Sequence, residues 1–257
     1  SDVDGDNLTF SLDGDATNGS VTLDGSFATY TPSQDFNGDD NFTFSVSDGQ
    51  LSDSAEVTVS VSAVNDAPIL TAVSDISFDE DGSGLTSLSA SDVDGDNLTF
   101  SITGGSDITA TLEGNDVTFT APLNFNGSEE FIISVTDDEL TDSQTITVTV
   151  NAVNDAPVAT TGLSGTTSED QSTAITLSGS DIDGDNLTFS LDSDASNGSV
   201  TLDGSLVTYT PNQDFNGDDS FSFSVSDGEY SSTADVNVSI SAVNDAPVLT
   251  AASDVSF

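Results

Sequence analysis

Ser-Asp-Val/Ile-Asp-Gly-Asp-Asn-Leu-Thr-Phe begins at Ser1, Ser91 and Ser180. The middle copy sets three carboxylates, Asp92, Asp94 and Asp96, around Gly95. Hard oxygen donors at this spacing, beside a glycine that permits a sharp turn, suit Ca2+, which takes about six to eight oxygens at roughly 2.4 Å in adaptable geometry. Zinc is disfavoured, because the chain offers neither Cys nor His to hold it. An EF-hand loop does not fit either: glycine comes fourth instead of sixth, and the twelfth position is Thr103.

The charge balance points the same way. The 257 residues include no Lys, Arg or His but 46 Asp and Glu, for a formal charge of −46. Two carboxylates held about 5 Å apart repel by roughly 3 kcal/mol at an effective dielectric near 20. Clustered acids therefore require a counter-ion from solution. Nucleic acid and anionic membrane surfaces are excluded as partners, since both require Lys and Arg. No run of about 18 apolar residues is present, so membrane insertion of this segment is not expected, and no leader pattern opens it. An enzyme would have to work without His, Lys, Arg or Cys. A paired-carboxylate glycosidase would need an aromatic cleft, and the chain has no Trp and three Tyr. No enzymatic activity is expected.

Repeats organise the chain. Ala-Val-Asn-Asp-Ala-Pro recurs at Ala63, Ala152 and Ala242, giving a period of about 90 residues. The first and third copies match nearly line for line and the middle one diverges, so two kinds of unit alternate. Disorder is disfavoured by period-two alternation in runs such as 42–46 and 57–61. Between 67 and 155 seven strands are expected, near 69–73, 85–90, 98–102, 108–112, 117–120, 131–136 and 145–153. Asp24-Gly25 and Asp203-Gly204 read as tight hairpin turns, and Phe36, Phe125 and Phe215 as core anchors. The expected fold class is all-β: tandem seven-stranded immunoglobulin-like sandwiches in an elongated rod. The expected boundaries are 1–66, lacking its first strands, then 67–155, 156–245 and a following first strand in 246–257. Strands of this length imply an advance of roughly 35–45 Å per domain.

The chain resembles bacterial cadherin-like tandem repeats of large surface adhesins. Four features carry the likeness: the linker Val64-Asn65-Asp66-Ala67-Pro68; Glu80 after Pro68, matched by Glu169 after Pro157; the Asp-x-Asp pair that follows; and a strand ending in Asp48, Asp137 or Asp227. The resemblance implies calcium ions between consecutive domains. It assigns Asn65, Asp66, Asp92, Asp94 and Asp137 to the first junction. To the second it assigns Glu80, Asn154, Asp155, Asp181, Asp183 and Asp227, with backbone carbonyls of Asn97 and Asn186 as additional ligands. By the same matching, Asp2, Asp4 and Asp48 belong to the head of the first unit. Glu169, Asn244 and Asp245 belong to the tail of the third. The family's Asp-Arg-Glu motif is replaced by Asp35-Phe36-Asn37, Asn124-Phe125-Asn126 and Asp214-Phe215-Asn216. This leaves Asp35, Asn37, Asn126, Asp214 and Asn216 as donors, with fewer charges than the family motif supplies, and the ion count open.

The implied function is a calcium-stiffened stalk or filament of a large extracellular adhesin on a bacterial surface. Its partners would be adjacent repeats of the same chain and identical chains in a filament. The alternative is a carbohydrate-binding or homophilic adhesion module.

Overall fold

The computed structural model describes residues 3–249. Two compact units divide the chain, Ser1–Asn151 and Ala152–Phe257. Asp2, and the part of the expected terminal strand from residue 250 onward, lie outside the described residues. Every regular element described is a strand.

The first unit opens with β1 (Thr9–Gly14), β2 (Gly19–Asp24), β3 (Phe27–Pro32), β4 (Gly38–Ser47) and β5 (Ser52–Val61). It continues with β6 (Ile69–Leu70), β7 (Ile76–Asp79), β8 (Ser83–Ser87), β9 (Ala90–Ser91), β10 (Thr99–Gly104), β11 (Thr109–Glu113), β12 (Asp116–Thr120), β13 (Gly127–Thr136) and β14 (Thr141–Asn151). The second unit holds β15 (Val158–Ala159), β16 (Leu163–Ser168), β17 (Thr173–Thr176), β18 (Gly179–Ser180), β19 (Thr188–Ser193), β20 (Gly198–Asp203), β21 (Leu206–Pro211), β22 (Gly217–Ser226) and β23 (Ser231–Ser241).

Between β6 and β14 the chain forms a sandwich of a four-stranded sheet, β10-β13-β14-β7, and a three-stranded sheet, β11-β12-β8. A two-residue ladder, β6-β9, adjoins them. The second unit repeats this plan with β16-β23-β22-β19, β17-β21-β20 and β15-β18. Neighbours pair antiparallel except where the last long strand meets the first, Val148 opposite Ile76 and Val236 opposite Leu163, which run parallel. Strand alternation puts Ile146, Val148 and Val150 on the core face of β14, with Phe119, Phe131 and Leu88. Phe119 and Phe131 meet edge to face at 5.2 Å. Each such aromatic, fully buried, contributes about 1.5–3 kcal/mol. Phe125 and Phe215 pack against their clusters as expected of anchors.

One strand departs from the sequence reading. The run 69–73 is a strand only over Ile69–Leu70, and Ile76–Asp79, unassigned from sequence, joins the four-stranded sheet. Side-chain to backbone hydrogen bonds between this segment and β14 hold it so. Asp142 accepts the Leu70 N–H at 2.9 Å, Gln144 bonds both the N–H and the carbonyl of Val73, and Asp75 accepts the Thr147 N–H. The run 85–90 likewise divides into β8 and β9, with Leu88 buried between them.

In the first five strands, β1-β4-β5 and β2-β3 form two smaller sheets. Among the described residues β5 has no parallel neighbour and β3 no counterpart of β8. Val207 and Tyr209 of β21 are fully buried, whereas their equivalents Ala28 and Tyr30 are exposed and half-buried.

An acid pins the same loop in each sandwich, buried in the first and third copies and half-buried in the middle one. Asp219 accepts the N–H groups of Ser196 and Asn197 and, at 2.9 Å, the Tyr209 hydroxyl. Asp40 does the same with Thr17, Asn18 and Tyr30. In the middle copy Glu129 takes the N–H groups of Ser106, Asp107 and Ile108 and the Ser106 hydroxyl. Phe119 stands there where the others have Tyr. Burial opposes ionisation of Asp219, but its donors, led by the Asn197 N–H, outweigh it and hold the carboxyl below the usual range.

Candidate metal centre

The acidic turn Asp92–Asn97 lies between β9 and β10, the linker 62–68 between β5 and β6, and Asp137 just after β13. Folding brings these three segments together. The Asn65 side-chain amide donates to Asp137 Oδ2 at 2.9 Å, and the Asp66 N–H donates to Asp94 Oδ2 at 2.8 Å. Asp92 Oδ1 accepts the N–H groups of Asp94 at 2.8 Å and Gly95 at 3.0 Å, which closes the turn that Gly95 completes at φ 81°. Asp92 Oδ2 is buried and has no hydrogen-bond partner. Asp35, Asn37, Asp66 and Asp94 line one cavity of about 260 Å3 with Phe36 and Val64.

The electrostatics suit a bound cation. Asp92, Asp94 and Asp96 each place a carboxylate oxygen within 4.8 Å of the others. Burial, then the charges of Asp35, Asp94 and Asp92, push the Asp66 carboxyl above its ordinary pKa. Asp137 is held low, first by the Leu140 N–H and then by the Asn65 amide. An unpartnered buried carboxylate oxygen among converging acids is costly unless a cation meets it. With oxygen donors only, the site suits a hard divalent ion. Asp92, Asp94 and Asp96 would hold it, with Asp66 and Asp35 close enough to add charge, and Asp137 tied to the group through the Asn65 amide.

The second unit builds the same arrangement from its own residues. The Asn154 amide donates to Asp227 Oδ2 at 2.9 Å, the Asp155 N–H to Asp183 Oδ2 at 2.7 Å, and the Asp183 N–H to Asp181 Oδ1 at 2.9 Å. Asp181 Oδ2 is buried without a hydrogen-bond partner, as Asp92 Oδ2 is. Asp181, Asp183 and Asp185 form the second carboxylate triad within 4.8 Å. Asp227 is held below its usual pKa, first by the Asn154 amide. Asp48 and Asp227 also bind the N–H groups of their own turns through Oδ1, so turn-making and side-chain donation coexist in one residue.

A third group lies at the far end of the second unit. Glu169, 5% exposed, accepts the Asn216 amide at 3.1 Å and also the Val243 N–H. Asp170, Asp214 and Asp245 bring carboxylate oxygens within 4.8 Å. The charge of Asp214, then burial, then Glu169 and Asp170 raise the Asp245 carboxyl. Asn244 bonds the Asp245 carbonyl. Glu80 is the buried counterpart of Glu169 in the first unit, and its N–H bonds Asn151 O at 2.9 Å. Asn97, Asn126 and Asn186 are exposed. Asp4 is exposed at the head of the first unit. Asp170 and Asp81 escaped the sequence reading, although each directly follows the Glu that it singled out.

A profile of the bacterial Ig domain family matches residues 1–60, 65–149 and 154–239. No curated protein sequence matches the chain. Among solved structures, mouse protocadherin-24 EC1-3 is 16% identical, covering 92% of this chain and 90% of its own, at a TM-score of 0.52. Human protocadherin-24 EC1-2 is 18% identical over 70% of this chain and all of its own, at 0.48. An endo-fucoidan hydrolase from glycoside hydrolase family 107 is 20% identical over 91% of this chain, at 0.32, and the chain spans 39% of that enzyme's length. No described helix is long and apolar enough to cross a membrane. With three matched segments over most of its length and the tandem cadherin-like sandwich fold, the chain belongs to the bacterial Ig domain family.

Proposed function

We propose that this chain is a structural calcium-binding segment of an extracellular bacterial adhesin, in which Ca2+ at the domain junctions stiffens a stalk of repeated sandwiches. Tandem bacterial Ig repeats are adhesin-type structural modules, and the finer reading rests on one observation. The buried, unpartnered Oδ2 of Asp92 lies in a turn whose acids converge with the linker Asp66 and with Asp35. When bound, calcium supplies positive charge shared between segments that otherwise repel. Asn65 and the Asp66 N–H position the linker, and the turn N–H groups hold Asp92 in place. The domain boundaries 67–155 and 156–245 belong to this reading, which includes no catalytic step.

Calcium that binds the folded chain alone stabilises it by about 2.7 kcal/mol per site at a hundredfold excess over Kd. The expected result is a melting temperature several degrees higher in millimolar calcium than in excess chelator. Identical melting in both conditions overturns the reading.

A further inference from the structure

The chain has no Cys, Met, Trp or His, so the side chains that oxidants ordinarily attack first are missing and three tyrosines are left. The fold treats the three differently. Tyr209 of β21 is fully buried, and its hydroxyl donates to Asp219 at 2.9 Å. Tyr30 of β3 is half-buried, with its hydroxyl on Asp40 at 3.1 Å. In both, a glycine backbone covers a ring carbon beside the hydroxyl: a Cβ on Gly198 would fall 2.6 Å from Tyr209 Cε2, and one on Gly19 would fall 2.6 Å from Tyr30 Cε2. Tyr230, by contrast, is 47% exposed. It stands at the tip between β22 and β23, where Asp227 Oδ1 takes the N–H groups of Glu229 at 2.6 Å and Tyr230 at 2.7 Å. The Ser226 hydroxyl donates to the Tyr230 carbonyl at 2.8 Å. The backbone is therefore held on both sides while the side chain stays open to solvent. The equivalent tips of the other two sandwiches carry Leu51 and Leu140.

We propose that Tyr230 is an oxidative coupling site, through which two copies of this chain are joined covalently by a dityrosine bond. Hydrogen peroxide, acting through a haem peroxidase, takes one electron and one proton from each of two Tyr230 phenols. The two phenoxyl radicals join through a ring carbon next to each hydroxyl, and the hydrogen displaced from each of those carbons moves to the phenol oxygen. The pair loses two hydrogens in all, and the peroxide is reduced to two molecules of water. The partner is a second copy, because the bond consumes two phenols and each chain presents one. Each copy carries a charge of −46, so the two tips repel, and salt that screens the charge favours the encounter. The inference does not depend on calcium.

Treating the full 257-residue chain with peroxidase and hydrogen peroxide in chelator and about 1 M NaCl, where the Debye length is roughly 3 Å, tests this. The expected product is a covalent dimer whose intact mass is twice that of the chain less two hydrogens. Growth stops there, because a chain with one accessible phenol has no second site from which to extend. Tyr230→Phe should remain monomeric, and Tyr30→Phe should dimerise as the wild type does. A dimer from Tyr230→Phe, or a ladder of larger products from the wild type, would place the coupling elsewhere and overturn the proposal. So would a wild-type chain that stays monomeric under conditions in which free tyrosine couples.

Discussion

The two oxygens of Asp92 have different roles. Oδ1 closes its own turn through the N–H groups of Asp94 and Gly95, while Oδ2 is buried with no donor. Asp92→Asn separates them, because the amide oxygen can still take the turn while the charge is lost. The expected outcome is calcium affinity at least about tenfold weaker by calorimetry, with melting in chelator unchanged or slightly raised, since one repelling charge is gone. A large drop in chelator would instead mark Asp92 as a turn residue only. The donor types at this scale were plain in the sequence: Asp92, Asp94, Asp137 and the linker Asn65-Asp66 were legible from the repeats and the resemblance. Asp170 was not, because only folding brings the loop residue Asp214 beside it.

At the scale of elements, each sandwich fastens the loop before the first strand of its hairpin (β2, β11, β20) with a carboxylate near the start of the strand after the hairpin. For Glu129 the Ser106 hydroxyl and N–H, helped by the Ile108 and Asp107 N–H groups and opposed by burial, lower the pKa to about 2. A folded pKa below the unfolded value of about 4.3 means stabilisation that is complete above that value and is lost as the pH falls through the folded pKa. Glu129→Gln should therefore destabilise the chain at pH 7 by about 1 kcal/mol once solvent screening is allowed for. In melts in chelator, the gap between mutant and wild type should shrink between about pH 4.3 and 2. A gap independent of pH would show that lost packing, not the charge, is responsible. The sequence showed the strands flanking this loop but not the clamp. Glu129 is longer than Asp40 and Asp219 and lacks their Tyr partner, and an acid at a strand start is indistinguishable in sequence from solvated surface.

For the whole molecule, −46 charges with no internal cation leave the metal-free chain under self-repulsion that monovalent salt screens. Raising NaCl from about 0.01 M to 1 M, where the Debye length falls from roughly 30 Å to 3 Å, should raise the melting temperature in chelator. The rise should be smaller with calcium bound; an equal rise in both states would mean that calcium does not neutralise the clustered acids. By itself the sequence determined the all-β class, the alternation of two repeat kinds and the oxygen-only donor chemistry. Those properties are local: they reside in period-two patterning, in recurrent motifs and in which side chains exist at all. Only the tertiary structure decided that β7 and not the full run 69–73 pairs with β14, that Asp92 and Asp181 each bury one oxygen without a donor, and that Asp214 stands against Asp170 and Asp245. Contacts such as that of Asn65 with Asp137 join residues far apart in the chain, and their distances are set by strand register and core packing, which no local pattern encodes.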